Sequence, residues 1–144
     1  MIMDHKLKLM VVDDSPLFRT WLIRSLSEDD RFQVVGYAVN ALDAQEKIPL
    51  LQPDMLTLDI EMPGMSGIDF LKQLLPVHPI PVILVSSLNL RVFDALEAGA
   101  VDFVRKPDEA NGLSKEIFLS MLRSKLMVAA ASHVHLPSAV SYTH

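Results

Sequence analysis

A five-stranded parallel sheet with helices on both faces is the fold predicted by three features of this 144-residue sequence. Five short apolar runs recur along the chain. Segments with helical periodicity separate them, so the order reads βαβαβαβαβα. Four of the runs are rich in β-branched residues and nearly continuous, the pattern of strands covered on both faces.

The first run is LKLMVV, Leu7–Val12. Ser15-Pro16 follows, a helix N-cap candidate with proline at the first helical position. Phe18, Trp21, Leu22, Ser25 and Leu26 then recur at helical spacing and predict a core stripe. FQVVGYA, Phe32–Ala38, is the second run. Asn40 caps a second helix from Ala41 to about Leu51, and Pro49 within it is expected to kink it or end it early. The third run, MLTLD, covers Met55–Asp59. Ile68, Leu71, Leu74 and Leu75 mark the helix after it. The fourth run, PVILVS (Pro81–Ser86), precedes a short helix marked by Val92, Ala95 and Leu96 and closed by Gly99. AVDFV, Ala100–Val104, is the fifth. Leu113, Ile117, Met121 and Leu122 mark the last and longest helix, which is expected to fade near Ala131. Ser132–His144 has no apolar period and reads as a linker or loose end. The expected division is therefore a domain over residues 1–131 and a tail over 132–144.

Composition narrows the function classes. Half of the residues are hydrophobic, enough for one packed domain. The net charge of −5 offers nucleic acid no basic field. No apolar stretch approaches the roughly 20 residues of a membrane span. The opening MIMDHKLKLM lacks the apolar core of a signal peptide, so a cytoplasmic location is expected. The absence of cysteine excludes disulfides and thiolate metal sites.

Crossovers between parallel strands are right-handed, and the commonest order for five such strands is 2-1-3-4-5. Ligands then bind beyond the carboxyl ends of strands 1 and 3, where the order reverses. Asp13-Asp14 ends the first of these strands and Asp59 the second. Three carboxylates at one point repel unless a cation joins them, and an oxygen-only donor set suits Mg2+ or Mn2+. Ser86-Ser87 ends strand 4 and offers hydroxyl donors, and Lys106-Pro107 follows strand 5 and offers a positive charge. The sequence places Asp59 exposed at this rim as an oxygen nucleophile that accepts and holds a phosphoryl group.

Taken singly, these features have plainer readings. VVDDS is also a strand end with a helix cap, Ser86-Ser87 a turn, and Lys106-Pro107 a loop. Asp59 is the sharper signal, because carboxylates seldom end an apolar strand. His133 and His135 form an H-x-H pair that reads as plain tail. Gly64-Met65-Ser66-Gly67 is one residue short of a nucleophile elbow. No glycine-rich nucleotide loop follows the first strand.

VVDDSP, LTLDIEMPGMSG, PVILVSS and GAVDFVRKP occur in that order over about Lys8 to Met127, and together they resemble the receiver domains of two-component response regulators. PDMLTLDIEMP, VSSL and GAVDFVRKP are most similar to the N-terminal receivers of the chemotaxis protein-glutamate methylesterases, the CheB branch. The resemblance implies a flavodoxin-like (CheY-like) doubly wound sheet. It implies Asp59 as phosphoacceptor, Asp13 and Asp14 as Mg2+ ligands with Asp59, and the backbone carbonyl of Glu61 as a further ligand. Ser86 and Lys106 would contact phosphoryl oxygens, Ser86 and Phe103 would act as switch residues, and the Lys106-Pro107 bond would be cis. The phosphodonor would be a CheA-like histidine kinase.

Three departures from that pattern stand out. The span from Ser87 to Gly99 is short, Pro49 interrupts the second helix, and no methylesterase domain follows. The chain is expected to be either a receiver excised from a longer methylesterase, which the linker-like tail favours, or a stand-alone receiver. A phosphohydrolase of the haloacid-dehalogenase type is the alternative from the enzyme class. It would need a second aspartate two residues after Asp59, where Glu61 stands.

Overall fold

The structure, a computed structural model, describes residues 6–87, 91–108, 110 and 112–139. Its elements are β1 (Leu7–Val12), α1 (Pro16–Ser27), β2 (Phe32–Ala38), α2 (Ala41–Leu51), β3 (Met55–Leu58), α3 (Gly67–Leu74), β4 (Val82–Ser86), α4 (Arg91–Glu97), β5 (Asp102–Arg105) and α5 (Lys115–Ala139). All four strand pairings are parallel, and the sheet order is β2-β1-β3-β4-β5, as the sequence predicts.

Side chains alternate across a strand, so each strand feeds two cores. Met10 and Val12 join Leu56, Leu58, Phe70, Leu71, Val82 and Leu84 on the face covered by α2, α3 and α4. Leu9 and Val11 join Leu22, Leu26, Ile83, Val85, Phe118 and Leu122 on the face covered by α1 and α5. Ser15 caps α1 and accepts from the Phe18 N–H, with Pro16 at the helix start. The Asn40 side chain accepts from the Asp43 N–H at 2.8 Å and caps α2.

Several expectations change. Pro49 does not end α2, which runs two residues further and closes on Gln52 in the left-handed region (φ 49°). Within the last turn a proline costs one hydrogen bond rather than a ladder of them. In α5 the buried stripe is Phe118, Leu122, Leu126, Ala129 and Ala130, whereas Ile117 and Met121 are 51% and 42% exposed. The helix carries two apolar stripes one residue apart, and packing on the sheet selects the one that contains Phe118. Nor does α5 fade near Ala131. It continues to Ala139, because neither glycine nor proline interrupts residues 115–136. Residues 132–139 thus extend the helix rather than form a loose end. Residues 140–144 and the side chains of His133 and His135 lie outside the described residues. The short span after Ser87 does give a short helix, the seven residues of α4.

Candidate functional site

The sheet register brings the carboxylates together. Val12 pairs with Leu58, and the ladder continues past both strand ends. The Asp59 N–H donates to the Val12 carbonyl (3.0 Å), and the Asp13 N–H donates to the Ala38 carbonyl (3.0 Å). Asp13 and Asp59 therefore emerge side by side at the reversal of strand order. On the other flank Ser86 pairs with Arg105, and the Lys106 N–H donates to the Ser86 carbonyl (3.0 Å).

Lys106 joins the two acids. Its Nζ lies 2.9 Å from Asp13 Oδ2 and 3.3 Å from Asp59 Oδ2. It also stands 4.6 Å from the centre of the Phe18 ring, a cation–π contact. The Lys106-Pro107 bond is trans, as are all described peptide bonds. An X-Pro bond prefers trans by about 0.5–1 kcal/mol, and Lys106 reaches both carboxylates in that isomer.

Asp59 is not exposed at the rim. Only 5% of its surface is accessible, and Asp13 is equally buried, whereas Asp14 is exposed. β1 and β4 flank β3, and the loop after Asp59 folds back over the strand end. There the Gly67 N–H donates to the Ile60 carbonyl (3.2 Å), and a Cβ on Gly67 would stand 2.6 Å from Ile60 Cα. Gly64 turns the loop at φ +82°. The glycines of MPGMSG thus serve the close approach and the turn of this loop.

Burial pushes the Asp59 carboxyl above its ordinary pKa. The Glu61 N–H on Asp59 Oδ1 (3.0 Å) and the Lys106 ammonium oppose this rise, and neighbouring Asp13 adds to it. Burial alone would lower the Lys106 pKa, but Asp13 and Asp59 outweigh it and hold the ammonium above its ordinary range. The site is therefore a buried acid pair clamped by one cation.

Ser86 is fully buried, and its Oγ has no hydrogen-bond partner among the described residues. An unpaired buried hydroxyl is costly, so its place at the carboxyl end of β4, the strand next to β3, fits an arriving oxygen acceptor. Carboxylate oxygens of Asp13, Asp14 and Asp59 all lie within 4.8 Å of one another. Octahedral Mg2+ holds oxygens at about 2.0–2.1 Å, so modest adjustment closes this trio on one ion, and the residues fit the implied metal. The Glu61 side chain is exposed. Phe103 is half-buried against the core under α3 and α4.

Sequence reasoning missed Arg19. Its Nη1 donates to the Asp13 backbone carbonyl at 2.8 Å, and the only hint was its place one turn after Ser15. Phe18, read as core, also faces Lys106. A groove of about 550 Å³ at the opposite end of the strands, lined by residues such as Leu7, Pro53, Met55 and Pro81, contains none of the site residues. Among the described residues no helix is long and apolar enough to cross a membrane.

Comparisons with known proteins agree with this geometry. The family described as "Response regulator receiver domain" matches residues 9–118. Over 137 residues and 95% of its length, the chain is 45% identical to a protein-glutamate methylesterase/protein-glutamine glutaminase 2 of Syntrophomonas wolfei subsp. wolfei. A protein of the same description from Vibrio vulnificus is 43% identical over 92% of the chain. In both cases the chain spans 40% of the relative's length. Among solved structures, the response regulator domain of Thermotoga maritima CheB is 36% identical with a TM-score of 0.77, covering 88% of this chain and 98% of that one. A structure of the P1 domain of CheA3 in complex with CheY6 from R. sphaeroides also matches, 28% identical with a TM-score of 0.70, covering 86% of this chain and 96% of that one. These matches do not favour a phosphohydrolase of the haloacid-dehalogenase type. The sheet order, the clamped acid pair at its reversal point and the match over residues 9–118 make this chain a member of the response regulator receiver family, with clear similarity to the receiver regions of protein-glutamate methylesterases.

Proposed function

We propose that this chain is a phosphorylation switch in which Asp59 accepts a phosphoryl group from a phosphohistidine. The N–P bond of the donor breaks as an O–P bond forms to Asp59 Oδ2, and the donor imidazole leaves with the electron pair. Asp13, Asp14, Asp59 and the Glu61 carbonyl would hold Mg2+, which when bound would supply positive charge against the phosphoryl oxygens. Lys106 leaves its bridge between Asp13 and Asp59 for one phosphoryl oxygen, and Ser86 Oγ donates to another. Phosphorylated side chains carry about −1.5 to −2 charges, and this new charge pulls on the strand 4 and strand 5 ends together. Phe103 then turns inward behind Ser86, which shifts the surface between two populations.

The observation that carries this reading is a buried, Lys106-clamped Asp59 together with a buried Ser86 hydroxyl that has no hydrogen-bond partner among the described residues. The relatives that support a methylesterase output are more than twice the length of the chain. We infer that residues 132–144 lead from the receiver toward such a domain, whose activity the switch would control. A CheA-like kinase is the proposed donor, on the likeness to a receiver solved with a CheA P1 domain, and the cytoplasm is the proposed location.

A small acyl-phosphate donor with Mg2+ tests the assignment. Mass spectrometry should find one added phosphate on the wild type and none on Asp59→Ala. Equal labelling of both proteins would overturn it.

A further inference from the structure

Asp13 is held through every polar group it has. Its N–H donates to Ala38, its Oδ1 accepts from the Ser15 N–H (2.8 Å), and its Oδ2 meets Lys106. The remaining group, the backbone carbonyl, accepts from Arg19 Nη1 at 2.8 Å. That carbonyl belongs to the Asp13–Asp14 peptide, which is planar. Fixing its direction fixes the plane from which Asp14 departs. Asp14 is the one exposed carboxylate of the acidic trio, and no hydrogen bond to its side chain orients it among the described residues beyond this backbone restraint.

Arg19 is itself held in place. Its guanidinium carbon stands 4.7 Å from the centre of the Tyr37 ring. Lys47 Nζ stands 4.7 Å from the same ring, donates to the Tyr37 carbonyl (2.7 Å) and pairs with Asp43 (3.2 Å). The guanidinium is planar and rigid, so stacking on Tyr37 restricts the direction in which its N–H groups point.

We propose that Arg19, stacked on Tyr37, is a positioning residue that orients the Asp13–Asp14 peptide and so aims Asp14 at the divalent ion. This rests on the divalent-ion site of the proposed function. The sign of the effect separates positioning from simple charge. Were Arg19 only a nearby cation, removing it would make the site more negative and tighten cation binding. If it positions Asp14, removing it weakens binding.

Mn2+ titration followed by electron paramagnetic resonance, on metal-free protein without any phosphodonor, reads this directly. Arg19→Met should weaken Mn2+ binding about tenfold, the low end for loss of an outer-sphere partner. Arg19→Lys keeps the charge and a donor and should recover part of that loss. Tyr37→Leu, which leaves Arg19 in place, should weaken binding by about two- to fivefold. Unchanged or tighter binding in Arg19→Met, with its fold verified by circular dichroism, would overturn the proposal. If that variant fails to fold, unchanged binding in Tyr37→Leu overturns it. A wild type that takes up no Mn2+ would instead overturn the divalent-ion site itself, a result distinct from equal binding by wild type and variants.

Discussion

Replacing Lys106 by methionine keeps the aliphatic stem and removes the charge that joins Asp13 and Asp59. At the observed separations of 2.9 and 3.3 Å, Coulomb's law with an effective dielectric constant of about 20 gives roughly 5–6 kcal/mol of attraction for each pair. Desolvation of the ammonium and its lost rotamer freedom offset much of this. Removing one partner of a buried ion pair typically costs about 3–5 kcal/mol, because the other charge stays buried and unpaired. The Lys106 side chain is 21% exposed, so water can reach the gap, which favours the low end of about 3 kcal/mol. Urea unfolding at pH 7 in a chelator, followed through Trp21, the single tryptophan, should show the loss. Trp21 packs within 5.7 Å of Phe18 and 5.9 Å of Phe118, so its emission reports the α1–α5 core. With an m-value of about 1–3 kcal/mol/M, the midpoint should fall by about 1–3 M.

The pH dependence gives that prediction its sign. The Asp59 carboxyl is already raised above its ordinary value near 3.8, so its ionised form is disfavoured in the folded state. This penalty is absent below about pH 3.8 and complete above the folded pKa. Losing Lys106 raises the folded pKa further, so Lys106→Met should be most harmful at neutral pH and approach the wild type in acid. Asp59→Asn should show the opposite sign: it should stabilise at neutral pH, with the gain vanishing in acid, and should partly rescue Lys106→Met. A Lys106→Met protein as stable as the wild type at pH 7, or equally weakened at pH 4 and pH 7, would refute the reasoning.

Millimolar Mg2+ should raise the melting temperature of the wild type by binding only the native state, and Asp14→Asn should lose most of that shift. A wild type whose melting temperature ignores Mg2+ would count against the metal site. Glu61, exposed two residues past Asp59, should orient the water that hydrolyses the acyl phosphate; Glu61→Gln and Glu61→Ala should both slow its decay, whereas faster decay in both would mean shielding instead. The Asp29 carboxyl is held below its ordinary range, first by its side-chain hydrogen bonds to Arg31. Its contribution is present above about pH 3.8 and lost as pH falls through the lower folded pKa, so Asp29→Asn should cost up to about 1 kcal/mol at pH 7 and nothing in strong acid. Urea midpoints at the two pH values check this.

The alternation of apolar runs implied a parallel sheet whose commonest order, 2-1-3-4-5, is the one observed, and it put Asp13, Asp14, Asp59, Ser86 and Lys106 at or just past the ends of their strands. These are local signals, because strand continuity, caps such as Ser15 and Asn40, and the end of an apolar run are written within a few residues. The state of the site was not local. Asp59 is buried rather than exposed because its strand lies between β1 and β4, and because Asp13 and Lys106 come beside its carboxylate from distant parts of the chain. The face of α5 was likewise open, since Ile117–Met121 and Phe118–Leu122 satisfy the same helical period, and only packing against Val85 and Val104 selects the second. Arg19 was invisible for a third reason: its partner is a backbone carbonyl, which every residue has, so no residue type marked it. The sequence alone therefore determined which chemical groups meet at the reversal of strand order. Tertiary packing decided how dry that meeting point is, that Lys106 bridges both buried acids, and which neighbours aim its ligands, because burial and direction depend on residues far apart in the chain.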